Sequence, residues 1–186
     1  MKIGILGGSF NPAHEGHIHI SNIALKSFQL DEIWWLVSPQ NPLKSKFNNS
    51  SLRKRINYAK KISNGYKIRV EDLESKFNTN LTAKTLKIIL ERYKGTKFIW
   101  LMGADNLNEI NKWFNWKNIF NTMPIAVFDR GVYSYSIINS MAGRRYFSKL
   151  YKRKNSISIF NKPLPSWKFV HNSKNPISSS HIRKLI

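Results

Sequence analysis

The chain has 186 residues and a mass of 21.7 kDa, about the size of one domain, so we predict a single domain over residues 1–186. A composition with 41% hydrophobic and 13% aromatic residues excludes a disordered chain. The absence of cysteine excludes a disulfide scaffold, a cysteine zinc site and thiol catalysis. No apolar run is long enough to span a membrane or to form a signal peptide, so we predict a cytoplasmic protein with no membrane partner.

The charge of the chain is strongly positive. Its 31 Lys and Arg residues and 10 Asp and Glu residues give a formal net charge of +21, and no acidic residue follows Asp129. Such a field attracts polyanions, among them nucleotides and nucleic acids. A general compositional bias toward lysine would give the same excess. Charge by itself therefore does not select a function.

Short apolar runs alternate with helical patterns along the chain. We predict strands at residues 2–6, 32–37, 67–70, 97–102 and 125–128, with shorter strands near 157–160 and 168–170. We predict helices over residues 17–28, from 50 or 51 to 61, from 82 to about 93 and over 136–151, and a last helix that starts at 178–180. This alternation predicts an α/β fold with a parallel sheet flanked by helices. Ligands of such sheets bind beyond the carboxyl ends of the strands.

The segment after the first predicted strand, residues 7–17, reads GGSFNPAHEGH. Glycines after a buried strand let a ligand approach the backbone, and the N-terminus of the following helix attracts anions. His14 and His17 share a face at that helix start and can donate hydrogen bonds to phosphate oxygens. The spacing excludes an HExxH metalloprotease motif, and the GxGxxG dinucleotide fingerprint is absent. Two histidines alone could equally be surface residues without a function. The whole eleven-residue string, however, predicts a phosphate-binding site.

A second segment of the same kind, residues 177–183, reads ISSSHIR. Its serine hydroxyls and the amides of a new helix can hold phosphate oxygens, and Arg183 adds a bidentate cation. An isolated run of serines would more simply cap a helix. Its presence together with the first string favours a second phosphate-binding segment.

GGSFNPAHEGH resembles the signature of the HxGH nucleotidyltransferase superfamily, and ISSSHIR resembles its ISSTxIR box. The double glycine with FNPxHxGH is similar to nicotinate-nucleotide adenylyltransferases, whereas pantetheine-phosphate adenylyltransferases typically begin with GTFD. Further segments resemble motifs of the nicotinate family: SPQNPLK at 38–44, TAKTL at 82–86, GADNL at 103–107, WFNW at 113–116 and DRG at 129–131. The resemblance covers almost the whole chain and implies a Rossmann-like nucleotidyltransferase fold.

The resemblance implies that AMP passes from ATP to nicotinate mononucleotide, with Mg²⁺ held by substrate phosphates and no metal site on the protein. It implies that His17 contacts the α-phosphate, and that His14 orients the triphosphate. Lys44 and Arg183 would hold the β- and γ-phosphates. The other implied ATP-binding residues are Gly8, Ser9, Phe10, Asp105, Ile177, Ser178, Ser179 and Ser180. The implied mononucleotide-binding residues are Thr82, Trp113, Phe114 and Arg130, with Trp113 against the pyridine ring.

Several alternatives stay open at this point. Asp105 could cap the next helix, Trp113 could belong to the core, and Arg130 could be an ordinary surface residue. Another HxGH adenylyltransferase, such as a pantetheine-phosphate adenylyltransferase, is the second functional hypothesis. RNA binding by the basic residues of 144–154 is a third, but no RNA-binding motif is visible and we predict no specific nucleic-acid partner. The sequence does not specify an oligomeric state.

Overall fold

The computed structural model describes residues 1–39, 50–129 and 139–171. Within these ranges the chain forms a six-stranded sheet in which every neighbouring pair of strands is parallel. The strands are β1 (Lys2–Gly8), β2 (Glu32–Val37), β3 (Ile68–Glu71), β4 (Lys97–Gly103), β5 (Ile125–Phe128) and β6 (Trp167–Val170). The α-helices are α1 (Glu15–Phe28), α2 (Leu52–Ser63), α3 (Leu73–Lys76), α4 (Thr82–Arg92), α5 (Ala104–Glu109), α6 (Trp116–Thr122) and α7 (Met141–Arg145). Short 3₁₀ helices span Ile110–Lys112, Phe147–Lys149 and Ser156–Asn161.

The order of the strands creates a switch point between β1 and β4. The sheet runs β3-β2-β1-β4-β5-β6, so the chain moves outward from β1 in one direction and then returns to build the other half. Leu6 of β1 pairs with Leu101 of β4, and this register brings the ends of the two strands, Gly8 and Gly103, to the same level. This topology confirms the predicted Rossmann-like parallel sheet, and ligands bind at such switch points.

Both faces of the sheet are covered, because successive strand residues point to opposite sides. Trp34 and Trp100 belong to a core cluster that includes residues of α4 and α6. Trp35 and Leu101 belong to a second cluster that includes residues of α1 and α2. The three tryptophans are 0–3% exposed and belong to the core. Burial on both faces explains why the strands read as continuous apolar runs.

The predicted strands of the sheet are confirmed. β2 and β5 have the predicted bounds, and the others differ by one or two residues at an end. Ser51 caps α2, and its hydroxyl accepts a hydrogen bond from the Lys54 N–H at 3.3 Å. Thr82 is the first residue of α4 rather than its cap, which is Leu81.

The predicted helix over residues 136–151 is wrong in the part that the structure describes, where α7 is only five residues long. The Tyr146 carbonyl accepts a hydrogen bond of 2.7 Å from the indole Nε1 of Trp167. Leu150 forms a parallel bridge with Trp167, and the Tyr151 N–H donates to the Trp167 carbonyl. Pairing with the edge strand β6 therefore replaces the hydrogen bonds that a longer helix would have formed.

The predicted strand near residues 157–160 is also wrong, because a 3₁₀ helix, Ser156–Asn161, occupies this place. The Asn155 side chain accepts a hydrogen bond from the Ile157 N–H at 3.0 Å and starts the turn. Ile159 is fully buried against the cluster on the α1 side of the sheet. One buried side chain per turn, rather than alternate burial along a strand, accounts for the apolar residues here.

The short helices α3, α5 and α6 are not predicted, since four to seven residues are too few to show a hydrophobic period. The predicted last helix, which starts at 178–180, lies outside the described residues. Among the helices of the described ranges, none has the length and apolar character needed to cross a membrane.

Candidate active site

The predicted phosphate segment lies at the switch point of the sheet. β1 ends at Gly8 beside the end of β4 at Gly103, and α1 begins shortly after. Phe10 has a φ of 45°, in the left-handed region that non-glycine residues seldom occupy and that occurs in anion-binding backbone concavities. Phe10 is 1% exposed, and its ring packs against the rings of His17 and Trp35.

His14 and His17 cap the start of α1 reciprocally. The Gly16 N–H donates to His14 Nδ1 at 3.1 Å, and the His14 N–H donates to His17 Nδ1 at 3.2 Å. The two imidazole centroids are 3.9 Å apart, and the residues are 5% and 9% exposed. This is a capping box in which histidines replace the usual Ser or Thr and Glu or Gln. It explains why α1 starts at Glu15, two residues before the predicted start.

The capping bonds determine which ring nitrogen carries the proton. An Nδ1 atom that accepts a backbone N–H has no proton of its own, so the proton of each neutral imidazole is on Nε2. The Nε2–H groups of His14 and His17 are therefore hydrogen-bond donors on the side of each ring opposite the cap. An imidazole N–H donor at the N-terminus of a 14-residue helix suits a phosphate oxygen.

Two aromatic rings contact the ring of His17, and a hydroxyl group binds its main-chain carbonyl. The centroids of Phe10 and Trp35 lie 4.7 and 5.8 Å from the His17 centroid. The Ser21 hydroxyl donates to the His17 carbonyl at 2.8 Å and accepts a hydrogen bond from Trp35 Nε1 at 2.9 Å. These groups follow or belong to β1, α1 and β2, so the orientation of His17 depends on the folded sheet.

A buried arginine that the sequence analysis does not single out lies beside this segment. Arg55 of α2 is 5% exposed, and burial lowers the pKa of its guanidinium, which stays charged at neutral pH. It donates hydrogen bonds to four main-chain carbonyls, those of Ser9, Ser38, Pro39 and Ser50. Arg55 shares the buried face of α2 with Ala59 and Ser63, which lie four and eight residues on. Helical periodicity is thus the signal that identifies Arg55 as a buried cation.

The predicted mononucleotide residues come from two neighbouring elements. Thr82 begins α4, and Phe114 precedes α6. Lys84 of α4 joins the two, since its Nζ lies 5.7 Å from the centroid of the Phe114 ring. Trp113 is half-buried and packs against the core, so part of its ring is accessible, and Phe114 is 49% exposed. The first N–H groups of α4 have no partner within the helix, which makes this end attractive to a carboxylate.

Asp105 lies in the first turn of α5, at the carboxyl end of β4. Its side chain is exposed, and the helix cap is Gly103, so the alternative in which Asp105 caps the helix is wrong. A carboxylate in a first helical turn is stabilised by the positive end of the helix dipole.

A cavity of about 380 Å³ lies near the carboxyl ends of β2 and β3. It is lined by Pro39, Glu74, Ser75, Asn78, Thr79 and Asn80. Glu74 is 6% exposed, and its Oε2 has no hydrogen-bond partner among the described residues. Burial raises the pKa of Glu74 above its ordinary value of 4.5, and a hydrogen bond with Ser38 partly opposes that rise. Nothing in the local sequence pattern around Glu74 indicates a buried acid.

Some of the predicted site residues lie outside the described ranges. They are Lys44, Arg130, Ile177, Ser178, Ser179, Ser180 and Arg183. Their roles stay predictions. Within residues 1–39, 50–129 and 139–171, no group of three or more His, Asp or Glu side chains is placed to hold a metal ion.

Residues 5–185 match the family described as cytidylyltransferase-like. A protein of Cereibacter sphaeroides named "Probable nicotinate-nucleotide adenylyltransferase" is 40% identical over 183 residues, which cover 98% of this chain and 96% of that protein. A protein of the same name from Mesorhizobium japonicum is 36% identical over 185 residues, covering 100% and 95%.

A solved structure agrees in fold. It is described as Plasmodium falciparum nicotinic acid mononucleotide adenylyltransferase complexed with NaAD, and it superposes with a TM-score of 0.73 at 23% identity. The match covers 98% of this chain and 82% of that one. Identity of this degree establishes the likeness of fold, and the relatives in sequence establish the family. The chain belongs to the cytidylyltransferase-like family, among its nicotinate-nucleotide adenylyltransferases.

Proposed function

We propose that this protein transfers AMP from ATP to nicotinate mononucleotide, giving deamido-NAD and pyrophosphate. The observation that carries the proposal is the reciprocal cap of His14 and His17 at the start of α1, beside the switch point of the sheet, in which each Nδ1 accepts a backbone N–H. Relatives at 36–47% identity bear the name of this activity, which favours it over phosphopantetheine adenylylation.

The reaction needs no nucleophile from the protein. An oxygen of the mononucleotide phosphate forms a bond to the α-phosphorus of ATP, the bond from that phosphorus to the oxygen that bridges the α- and β-phosphates breaks, and pyrophosphate leaves. Catalysis of this kind depends on positioning and on stabilising negative charge. The Nε2–H of His17 donates to an α-phosphate oxygen as charge develops, and that of His14 orients the triphosphate.

The remaining roles divide between the two substrates. Lys44 and Arg183 hold the β- and γ-phosphates of ATP, and Asp105 accepts hydrogen bonds from the ATP ribose. The backbone at Gly8, Ser9 and Phe10 and the segment Ile177, Ser178, Ser179 and Ser180 surround the phosphates. On the other side, Trp113 lies against the pyridine ring, the N–H groups of Thr82 and Phe114 bind its carboxylate, and Arg130 binds the mononucleotide phosphate.

Mg²⁺ enters this scheme as part of the substrate, bound to ATP. Such an ion keeps several waters and is commonly held through substrate phosphates rather than by an all-protein cage. We also propose a cytoplasmic location, because ATP and the mononucleotide are intracellular metabolites and the chain has no cysteine.

A pyrophosphate-release assay tests the proposed function. The purified protein is given Mg²⁺–ATP with nicotinate mononucleotide, nicotinamide mononucleotide or phosphopantetheine, and the nucleotide product is identified by mass. We expect release with nicotinate mononucleotide and a product with the mass of deamido-NAD. If pyrophosphate were released only with phosphopantetheine, the protein would be a pantetheine-phosphate adenylyltransferase instead.

A further inference from the structure

We infer that Arg55 is a positioning residue for ATP, whose guanidinium sets the spacing of the segments that follow β1 and β2. This inference rests on the proposed function, in which those segments bind the phosphates. Arg55 itself is not assigned a contact with substrate. Its effect passes through the main chain that it holds.

The hydrogen bonds of Arg55 connect two loops that are distant in sequence. Nη1 donates to the carbonyls of Ser9, after β1, at 2.6 Å and of Ser38, after β2, at 2.8 Å. Nη2 donates to the Pro39 carbonyl at 2.9 Å, and Nε donates to the Ser50 carbonyl at 3.0 Å. One planar group thus fixes the distance between the two segments at the carboxyl edge of the sheet.

The geometry requires a guanidinium. An arginine side chain has five N–H donors in a rigid planar fork, and the four bonds of Arg55 start from three different nitrogens. A lysine has one nitrogen, which cannot reach carbonyls on several sides at once. Replacement of Arg55 by lysine therefore keeps the charge but loses most of the connection.

The bond to Ser9 acts on a peptide within the phosphate segment, residues 7–17. In a trans peptide the C=O and N–H point in opposite directions, so holding the Ser9 carbonyl also orients the N–H of Phe10. Phe10 has the uncommon φ of 45°, a conformation that persists only where surrounding contacts hold it. Arg55 provides such a contact at a buried site.

The positive charge of Arg55 also favours the binding of the ATP phosphates. Its partners are neutral carbonyls, and none of the ion pairs in the described part of the chain includes it. A buried cation whose partners are neutral carbonyls contributes a positive potential at the edge of the sheet where the triphosphate would bind. Position and charge can be separated by experiment, because lysine keeps only the charge.

The test compares Arg55→Lys and Arg55→Met with wild type. Matched controls are Arg53→Lys and Arg53→Met, since Arg53 is exposed on the same helix. The Kd values of ATP and AMP are measured by calorimetry at a temperature where each variant is folded by circular dichroism. Steady-state assays then give kcat and the KM values of both substrates, and Arg55→Ala is assayed with added guanidinium.

We expect Arg55→Lys to weaken ATP binding about 10-fold and Arg55→Met, which also loses the charge, to weaken it further, whereas AMP binding should weaken by less than about threefold in both. The kcat/KM for ATP should fall about 10²-fold, the scale of a misplacement near 1 Å. The KM of nicotinate mononucleotide should change little, and guanidinium should partly restore Arg55→Ala. The Arg53 controls should resemble wild type.

Three results would overturn the inference. They are unchanged ATP binding in folded Arg55→Met, equal losses for ATP and AMP, and failure of both variants to fold, which would make Arg55 a stability residue only. Turnover by the wild type in the same assay tests the proposed function separately, so the two failures are distinguishable.

Discussion

The α-carbon of Gly7 packs against the indole of Trp100, and a methyl group added at residue 7 would lie 2.3 Å from Trp100 Cη2. Trp100 is 3% exposed and belongs to the core, so it has little room to move. At Gly8 an added methyl group would come no closer than 3.5 Å to the Phe10 ring, which is an ordinary contact. The two glycines of the motif therefore serve different purposes: Gly7 allows core packing, and Gly8 leaves room above the end of β1.

The two glycines give a paired prediction. Gly7→Ala should lower the free energy of unfolding by about 1–3 kcal/mol, because it overpacks the core. Gly8→Ala should leave stability within about 0.5 kcal/mol of wild type, yet raise the KM of ATP about 10-fold if the phosphates approach the backbone there. Urea unfolding and ATP titration of both variants provide the measurements. Equal stability of the two variants would contradict the packing explanation.

His17 has a structural role in the cap and a proposed role in catalysis, and glutamine separates the two. Glutamine at this third helical position can accept the His14 N–H as in an ordinary capping box, but it lacks the imidazole. We expect His17→Gln to keep a Tm close to wild type and to lose about 10²–10³-fold in kcat. His17→Ala should lose both activity and stability, the latter by about 1 kcal/mol for the lost cap.

Retention of more than half of the wild-type kcat in folded His17→Gln would remove His17 from the chemistry. Single-turnover rates of His17→Gln and wild type are compared at saturating ATP. Under these conditions a loss of ATP affinity alone does not lower the rate, because it raises KM instead.

Glu74 makes stability depend on pH. Burial raises the pKa of this carboxyl in the folded protein above 4.5, its ordinary value. An acid with a higher pKa in the folded state binds more protons when folded, so its contribution to the free energy of unfolding falls as pH rises from the unfolded to the folded pKa. Glu74→Gln should therefore match wild type near pH 4 and be more stable than wild type at pH 8.

Urea unfolding of both proteins between pH 4 and 8 checks this prediction. Glu91→Gln is the matched control, because Glu91 is an exposed glutamate, 61% accessible, on the surface of α4. A difference between Glu74→Gln and wild type that does not change with pH would show that the buried carboxyl is not the cause.

The substrate pocket should prefer the acid over the amide. Backbone N–H groups at Thr82 and Phe114 can make charge-assisted bonds to the nicotinate carboxylate, at roughly 1.5–3 kcal/mol each, whereas a carboxamide presents its own donors there. We expect kcat/KM for nicotinate mononucleotide to exceed that for nicotinamide mononucleotide by about 10²-fold or more. Equal values would contradict an acid-specific pocket and leave adenylyl transfer intact.

The structure adds Lys84 to this prediction, since its Nζ lies near the Phe114 ring. An exposed charge acts through water, so Lys84→Met should reduce the preference only about threefold. Lys87→Met, at an exposed position on the same helix, should leave it unchanged.

The sequence by itself determined the parallel sheet and the position of the phosphate segment. Residues 33–37 and 125–128 are apolar throughout because both faces of a parallel strand are buried, and this pattern is local in the chain. The segment 7–17, which contains the two histidines, follows the first predicted strand, so the topological rule for ligand sites applies to it without coordinates.

Only the tertiary structure decided how those groups are held. The ring of His17 is placed by its contact with Trp35 of another element, and the role of Arg55 follows from carbonyls contributed by segments up to 46 residues away. Likewise, Trp167 lies 21 residues beyond Tyr146 in the chain, and its indole N–H donates to the Tyr146 carbonyl. This bond helps to end the helix that the sequence predicts over residues 136–151. Hydrogen bonds between distant residues leave no periodic trace in the sequence, because the partner's position is set by the folding of everything between them.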